Sequence, residues 1–164
     1  MSKSKKQNKI VGAKLPPQNL EAESSVIGAL LINKDAILAV IEILSADDFY
    51  DQRNATIYRA ILELFEKRTP IDLVTLTDRL EKENELTNVG GGSHIVSLVN
   101  STPSAANVVH YANIVRDKAI LRRLITSSVT ISDLGFDEEE EVSMVLDKAE
   151  QSLFAVSQKS LKKF

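Results

Sequence analysis

Residues 107–135 read NVVHYANIVRDKAILRRLITSSVTISDLG, and the 28 positions before Gly135 hold neither glycine nor proline. A run of that length without a breaker predicts one long helix. Within it Tyr111, Ile114, Val115, Leu121, Leu124, Ile125, Ser128 and Ile131 recur at steps near three and four, the rhythm of a packed seam, with Ser128 counted as a small contact. Gly135 is placed to end the helix in the left-handed conformation. The run Asp137-Glu138-Glu139-Glu140-Glu141 then opens a second helix reaching about Gln158, its carboxylates complementing the positive end of the helix dipole. Val142, Val145, Leu146, Ala149, Leu153 and Val156 share one face of that helix. The two helices form an antiparallel hairpin over 107–158. Each carries about one apolar stripe, so the hairpin covers itself only in part, and pairing with a second hairpin would bury the rest. The candidate residues of that contact are Tyr111, Val115, Leu121, Leu124, Ile125, Ser128, Val142, Val145, Leu146, Ala149, Leu153 and Val156.

Upstream, residues 15–106 read as a compact bundle of short helices. Pro16 and Pro17 stop any earlier helix, and Asn19 offers a cap for a helix from Leu20 to Ile32, with Glu21 and Glu23 in its first turn. Further helices are expected at about Asp35–Leu44, Asn54–Lys67 and Val74–Glu83. Between the first two of these, Ser45-Ala46-Asp47-Asp48-Phe49-Tyr50 mixes capping residues with two rings and reads as a loop plugged into the core. Gly90-Gly91-Gly92-Ser93 marks a loop, followed by a short helix with Ile95, Val96, Leu98 and Val99 that ends at Pro103. The fold class is therefore all-α: a compact bundle, then a long hairpin.

Composition narrows the function. The net charge of −3 conceals five lysines and no acid in residues 1–14, which are expected to be a disordered basic tail. The remaining body carries 15 basic and 23 acidic groups, a sign that repels phosphates on average and disfavours nucleic-acid binding by the body itself. An aromatic content of 5% without tryptophan gives little for base stacking. No apolar run approaches a membrane span, no apolar signal core follows the basic start, and cysteine is absent, so a reducing cytoplasm is the expected compartment.

Sites for chemistry are mostly missing. No G-x-x-x-x-G-K-[ST] string exists, and Gly90-Gly91-Gly92 lacks a lysine partner, so it reads as a helix-breaking loop. His94 and His110 have no second ligand in a metal-binding spacing. Asp47-Asp48 reads as capping, and the acidic run lacks the ligand rhythm of a calcium loop. The expectation is a chain with no catalytic residue, no metal site and no cofactor.

Three groups of strings carry a more specific signal. The first is Leu15-Pro16-Pro17 with Glu21-Ala22-Glu23 and Val26-Ile27-Gly28. The second is Asp48-Phe49-Tyr50, Ile57-Tyr58 and Pro70-Ile71-Asp72-Leu73-Val74-Thr75-Leu76. The third is Val89-Gly90-Gly91, Thr102-Pro103-Ser104-Ala105-Ala106-Asn107, Tyr111-Ala112-Asn113-Ile114-Val115 and Leu121-Arg122-Arg123-Leu124-Ile125. Their order and spacing resemble the N-terminal domain of the bacterial replicative DNA helicase DnaB, closely over residues 15–135 and more loosely beyond. The family usually has His where this chain has Asn54, Gly where it has Asn84 and Tyr where it has His94. Asparagine is the non-glycine residue that best tolerates a left-handed helix end, so Asn84 is expected to adopt one.

The resemblance implies a hexameric ring in which these domains form a collar, their hairpins pairing into a trimer of dimers. It implies a RecA-like domain elsewhere in the parent protein that uses ATP and Mg to move along single-stranded DNA. It also implies docking of primase and of loader or initiator proteins on the collar. On that reading residues 159–164 begin a linker to an ATPase domain. The alternative is a free-standing adaptor of the same fold, such as a primase helicase-binding domain or a helicase loader; a reading frame continuing into a phosphate-binding loop separates the two.

Overall fold

In the computed structural model, which describes residues 14–161, the chain builds seven α-helices and no strand among the described residues. The basic tail expected over residues 1–14 falls almost wholly outside the described residues. Asn19 caps α1 (Leu20–Ile32), its Oδ1 accepting from the Ala22 amide at 2.9 Å. Glu21 sits in the first turn as expected, but Glu23 is not a surface dipole partner: it is 1% exposed. α1 is buried nearly all round, with Ala22, Val26, Ile27, Ala29 and Leu30 in the core, because it runs through the middle of the bundle against the helices that follow.

α2 (Ala36–Val40) is shorter than the expected 35–44; the chain continues as turns, held by the Leu44 amide donating to Val40 O at 2.9 Å. Two residues later a 3-10 turn (Ala46–Asp48) delivers Phe49 into the core, where its ring lies 5.0 Å from that of Tyr58. The Tyr58 hydroxyl donates to Leu44 O at 2.9 Å, and burial pushes its phenol well above the ordinary tyrosine value.

α3 (Gln52–Glu66) begins two residues earlier than expected because Asp51 caps it, its Oδ1 accepting from the Arg53 amide at 2.9 Å. The side-chain hydrogen bond from Arg53 holds the Asp51 carboxyl below the usual aspartate value. A lowered folded-state pKa contributes stability that is present above about pH 4 and is lost as pH falls through the folded value. Asp51→Asn removes that term. The gap in Tm between wild type and Asp51→Asn is therefore expected to close as pH is lowered from about 5 to 3, read by circular dichroism.

α3 ends on Arg68 at φ 55°, with the Thr69 amide reaching back to Leu64 O at 2.9 Å. α4 (Leu73–Lys82) starts at a reciprocal cap in which Asp72 and Thr75 satisfy each other's amides at 2.9 and 3.0 Å. It ends as expected on Asn84 at φ 59°, closed by the Glu85 amide on Leu80 O at 2.8 Å. The glycine cluster is not a loop throughout. Gly90, at φ 99°, makes the turn, while Gly91 and Gly92 already belong to α5 (Gly91–Ser101). The His94 ring lies over Gly90, leaving no room for a Cβ there.

α5 crosses α1 closely at Gly28. A Cβ at that position would stand 1.7 Å from Thr102 Oγ1 and 2.6 Å from Leu98 O. After a 3-10 turn (Ala105–Asn107), α6 (Val108–Gly135) runs unbroken and α7 (Val142–Leu161) returns along it. Two details of the hairpin turn differ from expectation. Gly135 has no positive φ; α6 unwinds through single-residue-tighter bonds, Phe136 to Asp133 O and Asp137 to Leu134 O, both 3.2 Å. The acidic run lies in the turn before α7 rather than in its first turn, and Glu140 pairs with Lys148 at 2.5 Å. α7 also continues to Leu161, past the linker start expected at 159, whereas residues 162–164 of that expected linker lie outside the described residues.

Candidate functional site: the hairpin and its anchor

The first half of α6 belongs to the bundle. Val108, Ala112, Val115 and Ala119 are buried there, and Tyr111 and Ile114 pack against the same core. Val115, counted among the contact residues on spacing alone, is thus corrected to a bundle position: it is 1% exposed and has no surface to offer a second chain, whereas Tyr111 is half-buried against the core. Spacing cannot separate the two because the same 3.6-residue period continues while the neighbour of α6 changes from bundle to α7.

A polar anchor sits where that change occurs. Glu23 accepts from the Tyr50 amide at 2.8 Å, the Asp51 amide at 3.2 Å and Asn54 Nδ2 at 3.2 Å. Asp48, also 1% exposed, accepts from the Ser45 amide at 2.8 Å, as its capping reading foresaw, and in addition forms an ion pair with Arg123. Arg122 donates to Pro17 O and to Asp48 O, both at 2.7 Å, and its guanidinium lies 5.5 Å from the centre of the Tyr50 ring. Burial pushes this guanidinium below the ordinary arginine value, with the Glu23 charge acting against the shift. Arg122 and Arg123 lie between the apolar positions of α6, not among them, and Arg122 meets partners 74 and 105 positions away, so no local signal marks the anchor in the sequence. Removal of Glu23 by Glu23→Ala leaves the buried Asn54 amide and the half-buried Tyr50 and Asp51 backbone amides without their acceptor and is expected to cost about 3 kcal/mol in urea unfolding.

Beyond the anchor the hairpin faces itself and solvent. Its internal seam holds Ser127, which is 4% exposed and shares a 2.7 Å hydrogen bond with Ser152, together with half-buried Ile131, Leu134, Val145, Ala149 and Val156. Ser127 was missed by the sequence reading, which placed Ser128 in that role; Ser128 is exposed and donates to Ile125 O at 2.6 Å. Of the expected contact residues, Val145, Ala149 and Val156 line this internal seam. Leu121, Leu124, Ile125 and Ser128 on α6, and Val142, Leu146 and Leu153 on α7, are exposed.

Those exposed residues form one surface. Counting 100° per residue, the α6 stripe and the α7 stripe are rotated from the internal seam in the same sense. Because the helices are right-handed and antiparallel, an equal sense of rotation puts both stripes on the same face of the hairpin. Leu121 and Leu124 are each 44% exposed and Leu153 is 48% exposed, which leaves a continuous apolar strip that none of the described residues covers. His110 is exposed beside Tyr111, and among the described residues no group of His, Cys, Asp or Glu is placed to hold a metal ion. No helix of the described residues is long and apolar enough to cross a membrane.

A helical head bearing a hairpin with one uncovered apolar face defines the class as an all-helical domain. Comparison with known proteins places it further. Residues 15–117 match the family model described as the DnaB-like helicase N terminal domain, and the chain belongs to that family. It is 42% identical over 150 residues to the replicative DNA helicase DnaC of Bacillus subtilis, covering 92% of this chain and 33% of that protein. It is 37% identical over 152 residues to the replicative DNA helicase DnaB of Geobacillus stearothermophilus, covering 93% of this chain and 34% of that protein. The solved N-terminal domain of DnaB helicase from Mycobacterium tuberculosis superposes with a TM-score of 0.82 at 38% identity, covering 86% of this chain and 99% of that one. The chain thus spans about a third of the length of the curated relatives it matches.

Proposed function

We propose that this chain is the collar domain of a hexameric replicative DNA helicase, holding the ring together through its hairpin and giving primase and helicase loaders a platform. ATP and Mg, and travel along single-stranded DNA, belong on this reading to another domain of the parent protein, and the present residues make or break no bond. The observation that carries the proposal is the uncovered apolar face shared by α6 and α7 in a domain whose relatives are named as replicative helicases. Apolar surface of this kind is stabilised by burial at about 25 cal/mol per Å², and a second copy of the same face is the self-complementary way to bury it.

Sedimentation equilibrium of the 164-residue chain is expected to give a dimer, or a multiple of one, at micromolar concentrations. A monomer persisting at hundreds of micromolar overturns ring assembly through this face. Docking is tested separately: the chain mixed with the helicase-binding domain of a primase from the same cell should co-elute with it in size exclusion, and independent elution of the two overturns the platform role.

A further inference from the structure

α3 ends on a residue that its backbone does not favour. The Arg68 amide donates to Phe65 O at 3.0 Å and the Thr69 amide to Leu64 O at 2.9 Å, which sets Arg68 at φ 55° in the position that helix ends usually give to glycine. α4 ends by the same pattern on Asn84, whose short side chain tolerates the left-handed region. Arginine has no such tolerance, and glycine at position 68 would relieve the backbone. Among the described residues the exposed Arg68 side chain makes no hydrogen bond or ion pair, so the strain gains the fold no polar contact. A disfavoured conformation kept in this way points to a use for the side chain outside the chain.

Arg68 lines a cleft of about 410 Å³ between α2 and the connection from α3 to α4. Its apolar lining holds buried Ile37 and Ile71, half-buried Phe65 and Leu38, which is 59% exposed. Its charged lining is Lys34, Asp35 and Arg68. Thr69 is shared with a smaller hollow of about 200 Å³ where Lys67 stands with Asp78, Arg79 and Lys82. There Lys82 is matched by Asp78 at 2.9 Å, and Arg79 by Glu63 and Glu83 at 2.6 and 2.8 Å. Lys34, Lys67 and Arg68 have no such match among the described residues. Three unmatched cations therefore face one unmatched acid, Asp35, along the lining of the two hollows, in a body that carries 15 basic and 23 acidic groups.

We propose that this side of the head docks an extended acidic segment of another protein, one apolar side chain of the segment filling the cleft beside Leu38 and Phe65 while its carboxylates meet Arg68 and then Lys67. The planar guanidinium receives a carboxylate through two parallel hydrogen bonds, and Lys34 and Lys67 add point charges on either side. The apolar hollow fixes register and the cations fix direction, a division of labour common to peptide grooves. A nucleic-acid strand fits less well, because it carries a phosphate at every step and Asp35 stands among the cations with an acidic body behind them. No residue of either hollow belongs to α6 or α7, so the contact is independent of the hairpin face.

The probe is a fluorescein-labelled peptide, a short run of aspartates followed by leucine and phenylalanine with an amidated C-terminus. Fluorescence polarisation against the 164-residue chain is expected to give a Kd on the order of 0.1 mM at low salt, weakening as salt rises. Serines in place of leucine and phenylalanine are expected to weaken binding by about tenfold. Arg68→Gly relaxes the left-handed backbone and removes the guanidinium together, so Tm is expected to hold or rise while peptide affinity falls by about tenfold. Lys34→Glu is expected to lower affinity to a similar extent. Arg59→Gln, in a separate hollow with Leu80 and Glu85, is expected to leave it unchanged.

Peptide binding that survives Arg68→Gly, or equal binding of the serine peptide, would overturn the proposal. A lower Tm in Arg68→Gly would make the arginine a folding residue, with the same result. Binding lost on deletion of residues 1–13 but kept in Arg68→Gly would place the attraction in the lysines of that segment and overturn the docking site. Displacement of the peptide by an oligothymidine strand would assign the cleft to nucleic acid instead. A sedimentation profile altered by Arg68→Gly would mean that a second copy of the chain covers the cleft, and that too would overturn the proposal. None of these outcomes touches the hairpin face, whose own test is the sedimentation of the Leu124→Asp and Leu153→Asp chains.

Discussion

Chains carrying Leu124→Asp or Leu153→Asp are expected to sediment as folded monomers at concentrations where the wild type associates. Both side chains are nearly half exposed in the single chain, at 44% and 48%, so an aspartate at either position keeps its hydration while the domain stands alone. Loss of folding stability of about 1 kcal/mol or less is expected, visible as a small change in urea midpoint. In an associated hairpin pair the same carboxylate would be stripped of water without a partner. A buried unpaired charge costs about 3–5 kcal/mol, and about 4 kcal/mol raises Kd a thousandfold. Circular dichroism and sedimentation together read the two quantities apart: a helical monomer supports the proposed face, whereas unchanged association places the contact elsewhere.

Gly28→Val is expected to have the largest effect on folding. The α1–α5 crossing leaves no room for even one methyl: Leu98 O, a backbone atom inside α5, would be 2.6 Å from the added Cβ. Thr102 can rotate away, but the carbonyl cannot move without separating the helices and opening the core around Ile27, Leu30, Ile95 and Leu98. Destabilisation of about 4–5 kcal/mol is expected, at the upper end of overpacking, which would consume most of the stability of a domain of this size. Gly91→Ala is a useful contrast, since nothing stands within 4 Å of a Cβ there and only its φ of 76° opposes the change. A Gly28→Val chain with an unchanged urea midpoint would show that the two helices can part at this point.

The extents of the helices were well legible from sequence because local chemistry sets them. Asn19 caps where its side chain reaches a free amide of the first turn, Asn84 ends a helix in the one conformation it tolerates better than its neighbours, and the 28-residue α6 follows from a run without breakers. Where the local signal was ambiguous the boundary moved. Gly91 and Gly92 entered α5, because glycine at a helix start costs little once the preceding turn is made by Gly90. Gly135, set to close α6 with a positive φ, did not, because the helix end is taken up by the tighter bonds of Phe136 and Asp137.

The candidate surface was legible in part. The sequence locates a hairpin with more apolar surface than it can cover, but it puts Val115 and Ser128 on one contact stripe, where the structure buries Val115 in the bundle and leaves Ser128 exposed. Periodicity specifies which residues share a side of a helix; it carries no information on which neighbour that side meets. On α6 the neighbour changes along one helix, from the bundle at Val115 to α7 at Ser127, so one stripe serves two partners.

What the sequence by itself determined is the all-α class, the order of the helices and the existence of a long hairpin, since caps, breakers and the 3.6-residue repeat act within a few residues of each other. Only the tertiary structure decided that Glu23 is an interior acceptor, that Arg122 and Arg123 bind the hairpin base to Pro17 and Asp48, and that Leu121, Leu124, Leu146 and Leu153 stand on one open face. Those contacts join residues as far as 105 positions apart, and no local propensity encodes a partner at that separation. The partner is chosen by the packing of whole helices, which a stripe pattern permits in several ways and the folded core permits in one.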